Sequence, residues 1–164
     1  MILKIDKNFK ILIVEDSEIK WIDIEKVLLE FGFLNSNLNR VGNIIGAEEM
    51  ISKGSWDLMI LDISLDLMDQ ISEANQGAHE VLGGLSIANK MYLLGKEVPT
   101  IIVTAFDAFP SKGIRSGYVQ ILSIEEVNRR AQEMLDSAYI GYVQYGEKDW
   151  QSRLNKLLKE VLIK

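Results

Sequence analysis

Trp56-Asp57-Leu58-Met59-Ile60-Leu61-Asp62 is an apolar run that ends on a carboxylate. The unbroken stretch from Leu58 to Leu61 fits a strand buried on both faces, as a central parallel strand is. Asp62 then stands where that strand leaves the sheet. In open α/β sheets, ligands bind outside the carboxyl ends of the strands. The spacing therefore makes Asp62 the point on which other functional residues should converge.

Working outward, two more stretches follow the same plan. Lys10-Ile11-Leu12-Ile13-Val14 is a β-branched run that ends in Glu15-Asp16-Ser17. Ser17 is a good N-cap and Glu18 suits a first helical turn. The helix runs to about Phe31, stops at Gly32, and places Ile24, Val27, Leu28 and Phe31 on one face. Val98-Pro99-Thr100-Ile101-Ile102-Val103-Thr104 is a further buried strand, with Pro99 at its start where a missing N–H is tolerated.

Between and beyond these lie a weaker strand over Leu38 to Val41 and a helix from Ile44 to Lys53, closed by Gly54. A helix over Leu85 to Leu94 closes at Gly95. Ser123-Ile124-Glu125-Glu126 reads as a capped start for a helix to about Ser137. Tyr139 to Tyr145 is the last strand. Lys148 to Ile163 is an amphipathic helix with Trp150, Leu154, Leu157, Leu158 and Val161 inward. Two stretches break the rhythm. Ser64 to Glu80 has no clean periodicity and reads as a long loop with at most a helical turn. Ala105 to Gly117 reads as a second loop, with Tyr118 to Leu122 a short extra strand. Strands alternating with helices predict one α/β domain over 1–164, a doubly wound five-stranded parallel sheet of order 2-1-3-4-5 with enlarged loops after strands 3 and 4.

Composition narrows the chemistry. The 164 residues are 48% hydrophobic and 26% charged, enough for one full core. No cysteine is present, which excludes disulfides, thiolate metal sites and cysteine nucleophiles. Asp+Glu number 24 against 18 Lys+Arg, for a net charge of −6, and no basic block stands out. Direct nucleic-acid binding is disfavoured. No apolar run reaches membrane-spanning length and the N-terminus lacks a signal-peptide pattern, so the expected location is the cytoplasm, without membrane contact.

In the order 2-1-3-4-5, the ends of strands one, three and four face one crevice. They bring Glu15-Asp16, Asp62 and Thr104 together. Three carboxylates repel one another unless a cation compensates, and a hard divalent ion with oxygen ligands, Mg²⁺ above all, suits such a set. A metal beside Asp62 would stabilise charge on a phosphoryl group transferred to that carboxylate. The Thr104 hydroxyl could hydrogen-bond a phosphoryl oxygen.

With these residues in place, the sequence resembles the receiver domains of two-component response regulators, which have a flavodoxin-like fold. The matching pieces are Ile11-Leu12-Ile13-Val14-Glu15-Asp16-Ser17, Asp57-Leu58-Met59-Ile60-Leu61-Asp62 and Val98-Pro99-Thr100-Ile101-Ile102-Val103-Thr104-Ala105, in the order that family has them. The resemblance implies that Asp62 is the phosphoacceptor and that Glu15, Asp16, Asp62 and the backbone carbonyl of Ser64 hold Mg²⁺. It implies that Thr104 senses the phosphoryl group, that Tyr142 is the switching aromatic, and that Gly84 opens the helix after the acceptor loop. A histidine kinase or phosphotransfer protein would be the donor, a downstream protein the receiver of the signal, and homodimerisation stays open. Such a domain phosphorylates and dephosphorylates itself at most, and is not otherwise an enzyme. The chain departs from the family in its enlarged loops and at the end of the last strand. There the family's lysine is replaced by Tyr145, or by Gln144 one residue earlier. Lys148, three residues on, is the substitute within reach along the chain.

Plainer assignments compete. Asp62 could simply cap a turn, and Glu15-Asp16 could simply favour a helix dipole; their common register with Thr104 outweighs both. His79 and the acidic residues Asp66, Asp69, Glu73 and Glu80 read as a solvated loop. Two other functions stay open. One is a receiver-like interaction module independent of phosphorylation. The other is a different phosphoryl-transfer enzyme, although no glycine-rich loop follows the first strand and Ser64 replaces the second Asp a haloacid-dehalogenase phosphatase needs.

Overall fold

The computed structural model describes residues 4–68, 79–112 and 119–163. Its central sheet holds β1 (Ile11–Val14), β2 (Leu38–Val41), β3 (Leu58–Leu61), β6 (Thr100–Thr104) and β9 (Tyr139–Gln144), all parallel, in the order β2-β1-β3-β6-β9. Counting only these five strands, this is the expected 2-1-3-4-5 order. Helices α1 (Glu18–Phe31), α2 (Ile44–Lys53), α3 (Gly83–Leu93) and α4 (Ile124–Leu135) lie on the four crossovers, and α5 (Trp150–Ile163) follows the last strand.

Alternation along the strands decides which helix covers which face. Ile11, Ile13, Leu58, Ile60, Ile101 and Val103 meet Ile24, Val27 and Leu28 of α1 and Trp150, Leu154 and Leu158 of α5. Leu12, Val14, Met59 and Leu61 face the other way, onto Ile44, Ala47 and Ile51 of α2 and Ile87, Ala88 and Met91 of α3. Ile102 joins Ile63, Leu85 and the inner face of α4, Val127 and Ala131. Burial on both faces is why β1, β3 and β6 read as continuous apolar runs. The helix limits follow local chemistry. Ser17 caps α1 by accepting the Lys20 N–H, and Gly32 ends it in the left-handed region at φ 118°. No helix among the described residues is long and apolar enough to cross a membrane.

Both stretches expected to be loops contain strands instead. After β3, β4 (Leu65–Asp66) pairs antiparallel with β5 (His79–Glu80). Leu65 is buried in the α2–α3 face of the core, and the Leu67 carbonyl accepts the Ile45 N–H at 3.1 Å. Strands of two residues have no period to detect. His79 therefore lies in a strand; Asp69 and Glu73 lie outside the described residues. After β6, β7 (Ala108–Lys112) and β8 (Val119–Ser123) form an antiparallel ribbon. Phe109-Pro110 looked like a loop signal. In a two-stranded ribbon every strand is an edge, and an edge tolerates proline. Phe109, with no exposed surface, and Leu122 seal this ribbon onto α4.

Candidate functional site

The sheet register assembles the site. Val14 lies opposite Leu61, so the next residues, Glu15 and Asp62, leave the sheet side by side. The Asp62 N–H donates to the Val14 carbonyl at 3.0 Å, and the Glu15 N–H to the Val41 carbonyl at 3.0 Å. Both acidic residues follow the alternation that sends Ile13 and Ile60 toward α1. The carboxylate oxygens of Glu15, Asp16 and Asp62 all come within 4.8 Å of one another. Glu15 is 1% exposed and Asp62 5%. They line one crevice of about 350 Å³ together with Asp16, Ser64, Phe106 and Tyr145.

The fixed cation of this crevice is Lys20. Its Nζ lies 2.6 Å from Glu15 Oε2 and 3.1 Å from Asp62 Oδ1, and it donates to the Val103 carbonyl at 2.7 Å. Lys20 is in the first turn of α1. Helical side chains tilt toward the helix N-terminus, so a lysine there points back to the strand ends. A buried ammonium needs paired acceptors to offset its lost hydration; here it has three. Lys148, the lysine expected to reach in from the strand end, is exposed and does not line the crevice. Tyr145, at that strand end, is part of the wall: its hydroxyl donates to Asp23 Oδ2 at 2.6 Å and its ring packs edge-on against Trp150. A signal for Lys20 was present. It lies four residues before Ile24, on the inner stripe of α1, where a charge demands a partner.

One ammonium does not balance three carboxylates. Burial pushes Glu15 up from 4.5 to about 7, with Asp62 adding repulsion and Lys20 opposing both. Burial also raises Asp62, again against Lys20. A cluster of carboxylate oxygens in which burial raises Glu15 and Asp62 suits a hard divalent cation. Glu15 Oε1 accepts the Ser17 N–H at 2.9 Å, and Asp16 Oδ2 accepts the Asp66 N–H at 3.1 Å. The second of these ties β4 to the carboxylate cluster.

The other expected residues are placed as follows. Ser64 is buried and lines the crevice. Thr104 is fully buried; its hydroxyl accepts the Phe106 N–H at 3.5 Å, and its carbonyl accepts the Tyr145 N–H at 2.8 Å. Tyr142 packs on the α4 side of the sheet, away from the crevice, with the Arg153 guanidinium 5.7 Å from its ring. Gly84 lies in the first turn of α3 and donates to the Ile63 carbonyl at 2.8 Å. A Cβ on it would come within 2.3 Å of the Asp62 carbonyl oxygen, so only glycine lets α3 approach the end of β3 this closely.

No family model matches the chain. It is 29% identical over 159 residues to the Detocs response regulatory protein DtcB of Enterobacter cloacae (strain JD6301), covering 93% of this chain and 97% of that protein. Among solved structures it is similar to a CheY-like response regulator receiver domain protein from Methanospirillum hungatei, with TM-score 0.62, 17% identity and 94% of each chain covered. It is also similar to the receiver domain of the sensor histidine kinase PA1611 from Pseudomonas aeruginosa, whose structure has a magnesium ion coordinated in the active site cleft. There the TM-score is 0.58 at 19% identity, covering 95% of this chain and 98% of that one. The chain thus has the fold of response-regulator receiver domains and is similar along nearly its whole length to a response regulatory protein.

Proposed function

We propose that this chain is a phosphoacceptor receiver domain of two-component signalling, with Asp62 as the group that takes the phosphoryl. The observation that carries this is the register of β1 and β3, which sets a buried Asp62 against Glu15 and Asp16 with their oxygens within 4.8 Å. An Asp62 carboxylate oxygen attacks the phosphorus of a phosphohistidine on a kinase or phosphotransfer protein. The P–N bond breaks, its electron pair returns to the imidazole nitrogen, and Asp62 is left as an acyl phosphate. Glu15, Asp16, Asp62 and the backbone carbonyl of Ser64 would hold Mg²⁺. When bound, that ion supplies positive charge to the phosphoryl oxygens.

The relay runs through β6. Thr104 holds the Phe106 N–H at the crevice rim. A hydroxyl that turned to a phosphoryl oxygen would release that N–H and free the start of the β7–β8 ribbon to move. Tyr142, packed on the same α4-side cluster as Ile102, is the aromatic that would follow. A phosphorylation-independent interaction module is the alternative. Its grounds are the lost lysine and the two enlarged loops, and Lys20 beside Asp62 weakens the first of them.

Incubation with Mg²⁺ and phosphoramidate, followed by intact-mass measurement, is the test. The expected result is a gain of one phosphoryl group that EDTA prevents and Asp62→Ala abolishes. An unchanged mass would defeat the proposal.

A further inference from the structure

Lys20 has contacts that the acceptor role of Asp62 does not by itself require. Two of its three acceptors, Glu15 at 2.6 Å and the Val103 carbonyl at 2.7 Å, are shorter than its 3.1 Å contact with Asp62. The ammonium is thus anchored independently of the acceptor. Formation of the acyl phosphate removes the negative charge from the Asp62 carboxylate and adds charged oxygens just beyond it. A cation held by Glu15 and Val103 stays in place through that change and can shift its third contact from carboxylate to phosphoryl. Tyr145, at the strand end, supplies no charge. Its ring centroid is 6.0 Å from the Lys20 Nζ, so the two positions serve one volume.

We propose that Lys20, reaching up from the first turn of α1, is the catalytic cation of this site: it pairs with Asp62 before transfer and with the phosphoryl group after it. The inference rests on the acceptor role of Asp62. Its bond to Val103 also joins the phosphoryl group to β6 one residue before Thr104. Lys20 therefore reports the state of Asp62 to the segment that leads into the β7–β8 ribbon.

The first arm compares wild type, Lys20→Met and Lys148→Met for rate of phosphorylation by phosphoramidate and for Mg²⁺ affinity in the absence of donor. Lys20→Met should lose about 100-fold in rate, while its Mg²⁺ affinity stays equal or rises, because a competing cation has gone. Lys148→Met should match wild type. Tyr145→Lys added to Lys20→Met returns an ammonium to the same volume, and recovery of rate would support the assignment. A folded Lys20→Met within about threefold of wild type, or one that loses rate and Mg²⁺ affinity in proportion, overturns it.

The second arm needs no variant and covers the case in which Lys20→Met fails to fold. In wild-type protein, the Lys20 Nζ resonance should move on phosphorylation; an unmoved resonance in phosphorylated protein overturns the inference. If wild type takes no phosphoryl group, the acceptor role of Asp62 fails and this inference falls with it. If wild type is phosphorylated and Lys20→Met is unaffected, only this inference fails.

Discussion

Raising pH in the absence of divalent ions should weaken the fold, and Glu15 is the reason. Its carboxyl is pushed up to about 7 by burial, against an ordinary value of 4.5. The folded state therefore holds this proton more tightly than the unfolded chain does. The resulting stabilisation is fully present below about pH 4.5 and is lost as pH rises through about 7. At about 1.4 kcal/mol per pH unit, the gap corresponds to about 3 kcal/mol, an upper figure because Asp62 competes for the same proton. The assay is urea unfolding followed by tryptophan fluorescence, in EDTA, at intervals from pH 5 to pH 8. Glu15→Gln cannot ionise at this position, so the difference between wild type and variant isolates the group. The wild type should lose stability relative to Glu15→Gln as pH rises. Mg²⁺ at pH 8 should restore it, by about 2.7 kcal/mol at one hundred times its dissociation constant. A difference that is flat with pH, or that grows in favour of the wild type, would refute the electrostatic account of the crevice.

Two further expectations concern how the site is held. Gly84→Ala forces a Cβ to within 2.3 Å of the Asp62 carbonyl oxygen and should cost about 1–3 kcal/mol, read as a lower urea midpoint with an unchanged slope; an unchanged midpoint contradicts the close approach. Phe109→Ala removes the fully buried anchor of the β7–β8 ribbon and should cost about 3–5 kcal/mol, whereas a loss under about 1 kcal/mol would mean that the ribbon is not part of the core.

The frame of the molecule was legible because its central strands are buried on both faces. Ile11–Val14, Leu58–Leu61 and Thr100–Thr104 could be located to within a residue or two at their carboxyl ends. Strand ends are what the site depends on, so Glu15, Asp16 and Asp62 were found by counting. The inserted pairs were not legible. β4 and β5 are too short for alternation, and Pro110 in β7 disguised a ribbon as a loop. The place of Lys20 in the crevice was not legible for a different reason. Proximity in sequence pointed from Tyr145 to Lys148, but the crossover places the start of α1 over the same strand ends. Burial of Lys20 on the apolar stripe shared with Ile24, Val27 and Leu28 was the overlooked sign.

The most direct test of the central claim is to locate the phosphoryl group. Protein treated with phosphoramidate and Mg²⁺, trapped by borohydride reduction and mapped by peptide mass, should carry the modification on Asp62 alone. Modification at another residue, or equal labelling of an Asp62→Asn variant, would contradict the account.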